Sequence, residues 1–303
     1  MVKALVLAVA ASLLAIPAPA AANVDPTRGV TFDISAWGVP VPRSQQAREA
    51  DLQVSAVGSD PQGYAVCQIG GARASNGLLT QVDVTCAADR SEAIAVTLRG
   101  PAQSATLTFG YVQPAPVGRA SDYNLSRYAG RQMRYKPCRV VPVRFNPGPS
   151  PRPAFVQRGF RYALQQVAQA SGIQLRYKGH TSFVPGNDRR TKGKGISVAY
   201  VPKSRSTFPQ LRPAQVLGIG GWVTDNSRRW LASGYAVIKR SNDTEDEMTY
   251  ILTVMHEIGH AVGLDHASIR SKQVMAPAES APGITWGKGD LRGLHKAGPR
   301  TSC

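Results

Sequence analysis

The sequence predicts an α+β protein in which a small β-sandwich-like domain precedes a larger domain built from a twisted mixed sheet and helices. Residues 23–117 contain short runs in which apolar and polar residues alternate, as is typical of strands. Residues 138–303 mix further strand-like runs with two stretches of helical apolar periodicity. The composition, 43% hydrophobic and 18% charged, is that of a globular protein, and 303 residues suffice for two domains.

The first 22 residues are typical of a secretory signal peptide. Lys3 supplies a positive charge, residues 4–16 form an apolar run, and small residues allow cleavage after Ala20 or Ala22. The apolar run is too short to span a bilayer. We therefore expect a secreted or cell-surface-associated protein whose mature chain has no transmembrane segment.

The strand-like runs of the first domain are short and are separated by turn signals such as Asn-Gly at 76–77. This spacing predicts a small antiparallel sandwich over residues 23–117. Residues 118–137 combine polar, proline and glycine residues without apolar periodicity, so we expect a linker there. The second domain is expected to cover residues 138–303.

The four cysteines are expected to form disulfides, because an exported chain meets oxidising conditions. Four cysteines allow three connectivities. Cys67 and Cys86 lie on neighbouring strand-like runs joined by a short loop, which predicts that they pair. Cys138 and Cys303 are then left for each other, and their bond would join the start of the second domain to the last residue.

The second domain is expected to begin with the strand CRVVPVRFN, followed by a long amphipathic helix. The apolar stripe of this helix runs from Val156 through Phe160 to Val167, and Gly172 is a natural C-terminal stop. The strands IQLRYKG and GISVAYVP follow, and then a strand pair, VLGIGGWVTD and GYAVIKRS. The adjacent glycines of VLGIGGWVTD predict a bulge or an exposed edge.

A second helix is predicted over about residues 245–262. Thr244 and Glu247 form the S/T-x-x-E pattern of a capping box, and further acidic residues in the first turn suit the helix dipole. Apolar residues recur at helical spacing from Met248 to Val262. The helix is expected to stop at Gly263.

The end of this second helix carries the run HEIGHAVGLDH. His256 and His260 are four residues apart, so a helix places both imidazoles on one face, where they can reach one ion. Glu257 points in another direction and can hold a water molecule. Gly263 can adopt a positive φ and turn the chain sharply, which lets His266 return to the ion as the third ligand.

This run resembles the H-E-x-x-H-x-x-G-x-x-H signature of the metzincin zinc peptidases. The downstream segments VMAP and GDLRGLHKAG are similar to those of the matrixins, so the resemblance covers about residues 138–303. It implies a metzincin-like catalytic domain with one catalytic Zn²⁺, held by three histidines, and a Met-turn at Met275 beneath the metal. It also implies a protein or peptide substrate that binds along an edge strand near residues 217–224.

The activity expected from this resemblance is that of an exported zinc endopeptidase with Glu257 as the general base. The histidine and aspartate pattern of the structural zinc and calcium sites of animal matrixins is not matched, so calcium binding is left open. His180 is interpreted as a surface or loop histidine, and His295 as a structural residue. The even number of cysteines favours a disulfide at Cys138 over a thiolate that caps the zinc.

A cationic cell-surface or cell-wall binding protein with a peptidase-like fold is the alternative function. The net charge is +17, and Asp188 is the only acidic residue between 176 and 212, a segment rich in lysine and arginine. Such a segment is either a solvated face or an attraction for a polyanion, such as an anionic cell-wall polymer. We expect no sequence-specific nucleic-acid binding, because no nucleic-acid fold signature is present.

Overall fold

The computed structural model describes residues 22–25, 29–42, 52–60, 63–150, 152–241, 244, 246–278 and 284–299. The signal peptide predicted for residues 1–22 lies outside this part of the chain except for Ala22, and it stays a prediction. Cys303 also lies outside it, so its pairing with Cys138 stays a prediction as well. Within the described residues, no helix is long and apolar enough to span a bilayer.

The described part of the chain is a mixed α+β structure, as the sequence predicts. Its strands and helices follow in this order: β1 Ala22–Asp25, β2 Gly29–Asp33, β3 Gln53–Gly58, β4 Ala65–Ser75, β5 Leu78–Ala88, β6 Glu92–Arg99, β7 Ser104–Tyr111, β8 Asn124–Leu125, β9 Arg127–Tyr128, β10 Arg131–Gln132, β11 Val141–Asn146, α1 Pro153–Ser171, β12 Leu175–His180, β13 Gly195–Val201, β14 Gly218–Thr224, β15 Leu231–Lys239, α2 Glu247–Ala261, β16 Leu264–Asp265 and α3 Lys288–Ala297.

The N-terminal strands form two antiparallel sheets, one with the order β1-β2-β5-β4 and one with the order β3-β6-β7. Alternate residues of these strands, such as Phe32, Val82, Ile94 and Val96, are buried in one shared apolar cluster. Cys67 and Cys86 face each other across β4 and β5 and are joined by a disulfide, which confirms that pairing. The domain boundary at residue 117 stays a prediction.

The second part of the chain is built on a five-stranded sheet with the order β12-β11-β13-β15-β14. The first four strands are parallel, and β14 is an antiparallel edge strand hydrogen-bonded to β15. Every residue of the central strand β13 is buried, because helices cover one face and the 184–216 segment covers the other. A continuous apolar strand is typical of such a position.

Helix α1 packs against α2 through the apolar stripe that the sequence indicates. Val156, Phe160 and Val167 are fully buried, and Gly172 ends the helix with a φ of 69°. The two helices approach closely at Gly159, where a Cβ atom would lie 2.9 Å from the ring of Tyr250. α1 therefore supports the helix that carries HEIGHAVGLDH.

The start of α2 differs from the predicted capping box. Asp246 is the N-cap residue, and its side chain accepts a hydrogen bond from Thr249 N at 2.8 Å. The Thr244 hydroxyl is buried and donates instead to Lys239 O at 2.7 Å, in the turn before the helix. Glu247 does not fold back on Thr244, because its carboxylate pairs with Arg158 at 2.6 Å.

Residues 118–137 are packed more tightly than the loose connection that the sequence indicates. β8 pairs with β16, and β9 and β10 form a small hairpin. Met133 and Tyr135 are buried in the same core as the second part of the chain. Their burial has no local signature because their partners are distant in sequence: Tyr135 forms an isolated bridge with Leu231, and its hydroxyl donates to Ala261 O, 126 residues away.

Candidate metal centre

The three histidines of HEIGHAVGLDH meet at one point. The Nε2 atoms of His256 and His260 lie 3.1 Å apart, and each lies 3.2 Å from Nε2 of His266. Helix α2 places the first two one turn apart, and the third arrives from the segment after the helix. The structure thus brings together all three side chains that the sequence singles out, as a group that could hold a metal ion.

The two helical histidines are oriented by backbone carbonyls. Nδ1 of His256 lies 2.7 Å from Val274 O, and Nδ1 of His260 lies 3.0 Å from Leu264 O. A carbonyl only accepts, so Nδ1 must donate, and the lone pair of the neutral ring is on Nε2. Burial lowers the pKa of His256 to about 3 and that of His260 to about 4, so both rings are neutral at pH 7.

This arrangement fits a tetrahedral zinc ion. Nitrogen ligands at about 2.0–2.1 Å from zinc in tetrahedral geometry lie about 3.3 Å from one another. The three observed separations of 3.1, 3.2 and 3.2 Å are close to that value. Three histidine imidazoles are also a donor set that catalytic zinc sites use.

Gly263 and Met275 shape the metal centre by a turn after α2 and by packing against α2. Gly263 follows α2 with a φ of 104°, and a Cβ atom there would lie 2.7 Å from Met133 O. The turn at this glycine brings the chain back so that His266 reaches the two helical rings. Met275 is buried under the helix, and a Cβ atom at Gly259 would lie 2.6 Å from its sulfur.

Glu257 lies between helix α2 and the edge strand β14. Its side chain is only 6% exposed, and burial raises the pKa of Glu257 to about 8. A Cβ atom at Gly218 would lie 2.6 Å from its Oε1, and one at Gly220 would lie 2.3 Å from its backbone oxygen. These glycines allow β14 to contact α2 directly. The adjacent glycines in the sequence predict a bulge or an exposed edge, but they do not predict this contact with the helix.

The histidines and Glu257 open into a cleft of about 400 Å³. The edge strand β14 and residues 126–127 both border this cleft. The cleft is lined by Ser126, Arg127, Gly218, Ile219, Gly220, Gly221, Trp222, His256, Glu257, His260, Leu264, Asp265 and His266. An extended chain therefore has both a strand edge to pair with and direct access to the three Nε2 atoms.

The segment that carries Met275 is held by two buried polar side chains that the sequence reasoning missed. Asp290 of α3 accepts hydrogen bonds from Val274 N at 2.8 Å and from Met275 N at 3.3 Å. Gln273 donates to Asp122 O at 2.8 Å and accepts from the first turn of α3. Neither residue stands out in the sequence, because polar neighbours such as Lys272 and Arg292 lie near them and these hydrogen-bond partners lie 15 or more residues away.

The remaining histidines lie away from the cleft. His180 is exposed at the end of β12, with Nε2 2.7 Å from Gln157 Oε1, and His295 is exposed on α3. The basic residues Arg176 and Lys178 lie on β12, at the sheet edge opposite the cleft. No contact in the described residues favours an anionic polymer as their partner, and that expectation stays a prediction.

The mixed α+β fold and the histidine cluster are consistent with a metzincin-like metalloprotease domain. The family model of the matrixins matches residues 203–296, a segment that begins before β14 and ends within α3. This match covers less than half of the chain, and it supports a matrixin-like metzincin family for the segment that carries the cleft. No curated protein matches the chain.

Proposed function

We propose that this protein is an exported zinc-dependent endopeptidase. The observation that carries the proposal is the convergence of three Nε2 atoms at 3.1–3.2 Å beside the buried carboxylate of Glu257, in a cleft bordered by a strand edge. The matrixin match supports zinc dependence and a protein or peptide substrate. The apolar run at residues 4–16 motivates the export.

Each residue of the cleft has a role in the proposed reaction. His256, His260 and His266 would hold the zinc ion, which when bound supplies the Lewis acidity that polarises a carbonyl and lowers the pKa of water. The positive charge of a bound zinc ion would lower the pKa of Glu257 and keep its carboxylate ionised. Glu257 then takes a proton from the attacking water and transfers it to the leaving amine. The edge strand β14 pairs with the extended substrate and aligns the scissile bond over the histidines.

The first prediction concerns Glu257→Gln, which keeps the size of the side chain but cannot take up the proton. We expect hydrolysis of a peptide library to fall by about 10²–10⁴-fold, because that is the usual contribution of a general base. Zinc content, measured by atomic absorption, should stay at the wild-type value, since Glu257 is not a ligand.

His260→Ala provides the comparison, because it should lose both the zinc and the hydrolysis. Full hydrolysis by Glu257→Gln would show that the assigned base is wrong. A wild-type protein that binds no zinc would overturn the proposed function. Sequencing of the secreted protein should find an N-terminus at residue 21 or 23, and an uncleaved N-terminus would contradict export by this signal.

A further inference from the structure

The third histidine is held differently from the other two. His256 and His260 are on a helix, and each ring is oriented by a carbonyl. His266 is exposed and follows the two-residue strand β16. His266 N donates to the Asp265 carboxylate, and His266 O accepts from the Asn124 amide. The position of His266 therefore depends on what holds this short stretch of chain.

Residues 122–126, which we name the upstream strap, hold that stretch along its whole length. Ser126 N donates to Gly263 O at 2.8 Å, and the Ser126 hydroxyl donates to Leu264 O at 3.1 Å. Leu125 and Asn124 pair with Leu264 and Asp265 in antiparallel register. The strap thus contacts every residue from the turn at 263 to the strand that precedes His266.

The strap also holds the chain at and beyond the third histidine. Nδ2 of Asn124 donates to His266 O at 2.7 Å. The Asp122 carboxylate accepts from Ser268 N and from the Ser268 hydroxyl, each at 2.9 Å. The carbonyl of Leu264, which the Ser126 hydroxyl contacts, is the same oxygen that orients the ring of His260.

We propose that Asn124 and Ser126 are positioning residues that fix the position of His266. The upstream strap, which precedes the five-stranded sheet, is then part of the metal centre. The inference rests on the proposed function, because it concerns the same three histidines. It assigns no chemical step to the strap. Its consequence is that loss of the strap weakens metal binding while the rest of the fold persists.

Asn124→Ala tests this role with little disturbance elsewhere, because the side chain is exposed. We expect the zinc Kd of the full-length protein, measured by competition with a fluorescent zinc indicator, to rise by about 10–100-fold, as is usual for residues that orient ligands. Ser126→Ala should raise the Kd less, because its backbone N–H still binds Gly263 O. The unfolding temperature of the metal-free Asn124→Ala protein should equal that of wild type.

Asn146→Ala is the matched control. Nδ2 of Asn146 also donates to a backbone carbonyl, Phe183 O at 3.2 Å, but away from the histidines. This variant should lower the unfolding temperature and leave the zinc Kd unchanged. Asn124→Asp, which keeps the size and removes the donor, replaces Asn124→Ala if that variant does not fold, and it should raise the Kd at least as much.

Cobalt substitution supplies a second measurement. The visible absorption of Co²⁺ reports the number and geometry of its ligands, so Asn124→Ala should shift the spectrum toward that of His266→Ala. Wild-type zinc affinity and an unchanged cobalt spectrum in Asn124→Ala would overturn the positioning role. Failure of wild type to bind zinc at all would instead overturn the proposed function, so the two outcomes are distinguishable.

Discussion

Glycines at the candidate metal centre allow contacts that no other residue permits. A Cβ atom at Gly220 would lie 2.3 Å from the backbone oxygen of Glu257, and one at Gly259 would lie 2.6 Å from the sulfur of Met275. Each of these distances is shorter than a van der Waals contact, so an added methyl group would force the chain apart. Because these positions carry no side chain, β14 approaches α2 closely at Gly220, and Met275 approaches α2 closely at Gly259.

Gly263→Ala is the clearest test at this scale. The φ of 104° is strained for alanine, and the added Cβ would also lie 2.7 Å from Met133 O. The backbone strain alone is expected to lower the free energy of unfolding by about 1–3 kcal/mol. The collision with Met133 O should add to that loss and weaken zinc binding, because the turn leads to His266. Chemical denaturation and a zinc titration measure the two effects.

Gly130→Ala separates strain from collision. Gly130 also has a positive φ, 77°, but nothing lies within 4 Å of an added Cβ. It should therefore show the strain alone, with unchanged zinc affinity. Equal losses of stability in the two variants, together with equal zinc affinity, would show that the turn at Gly263 does not shape the site.

At the scale of elements, local patterns predict the helices well and their caps less well. Apolar periodicity and the stop at Gly172 place α1 within a residue or two, because both signals act locally. The start of α2 is harder to place, because two residues can cap the helix: Thr244 stands three residues before Glu247, and Asp246 stands three residues before Thr249. The choice depends on two contacts outside the capping pattern: the turn contact of Thr244 with Lys239 and the tertiary ion pair of Glu247 with Arg158.

Asp246→Ala tests the cap that the structure shows. Loss of the hydrogen bond to Thr249 N should lower the free energy of unfolding by about 1 kcal/mol, the usual cost of removing an N-cap. Asp246→Asn should retain most of the stability, since asparagine caps helices as well as aspartate does. Thermal unfolding followed by circular dichroism measures both, and an undiminished stability of Asp246→Ala would mean that this cap contributes nothing.

The predictability of the candidate site follows the same division between local and distant contacts. His256, Glu257, His260, Gly263 and His266 lie within 11 residues, so their spacing carries the chemistry in the sequence itself. Asn124 lies 142 residues from His266. The short polar segment around Asn124 has no pattern that distinguishes the upstream strap from a linker. Only the folded chain shows the hydrogen bond between Asn124 and His266 O.

At the scale of the whole molecule, the N-terminal sheets contact the start of the helix that carries the histidines. The ring of Tyr64 stacks on that of Tyr162 at 4.6 Å, and its hydroxyl donates to Glu247, which also pairs with Arg158. Burial, followed by the charge of Glu247, raises the pKa of Tyr64, so the hydroxyl stays protonated and keeps donating. Tyr64 therefore connects the N-terminal sheets to both α1 and α2.

Tyr64→Ala should destabilise the contact between the N-terminal sheets and the part that contains α2, so that the two parts unfold at different temperatures. Removing a buried aromatic side chain costs about 3–5 kcal/mol, and at about 2–4 °C per kcal/mol the unfolding temperature should fall by roughly 6–20 °C. Tyr64→Phe keeps the stacked ring and loses only the hydroxyl, so it should lose about 1–3 kcal/mol. Tyr128→Ala, at an exposed tyrosine, should change little.

Calorimetry shows whether this contact joins the two parts into one cooperative unit. The N-terminal sheets have their own apolar cluster and a disulfide, so they should stay folded after the contact is lost. Wild type should then unfold in one transition and Tyr64→Ala in two, with the lower transition belonging to the part that contains α2. A single transition at the wild-type temperature in Tyr64→Ala would show that the N-terminal sheets do not stabilise the helix that bears the histidines.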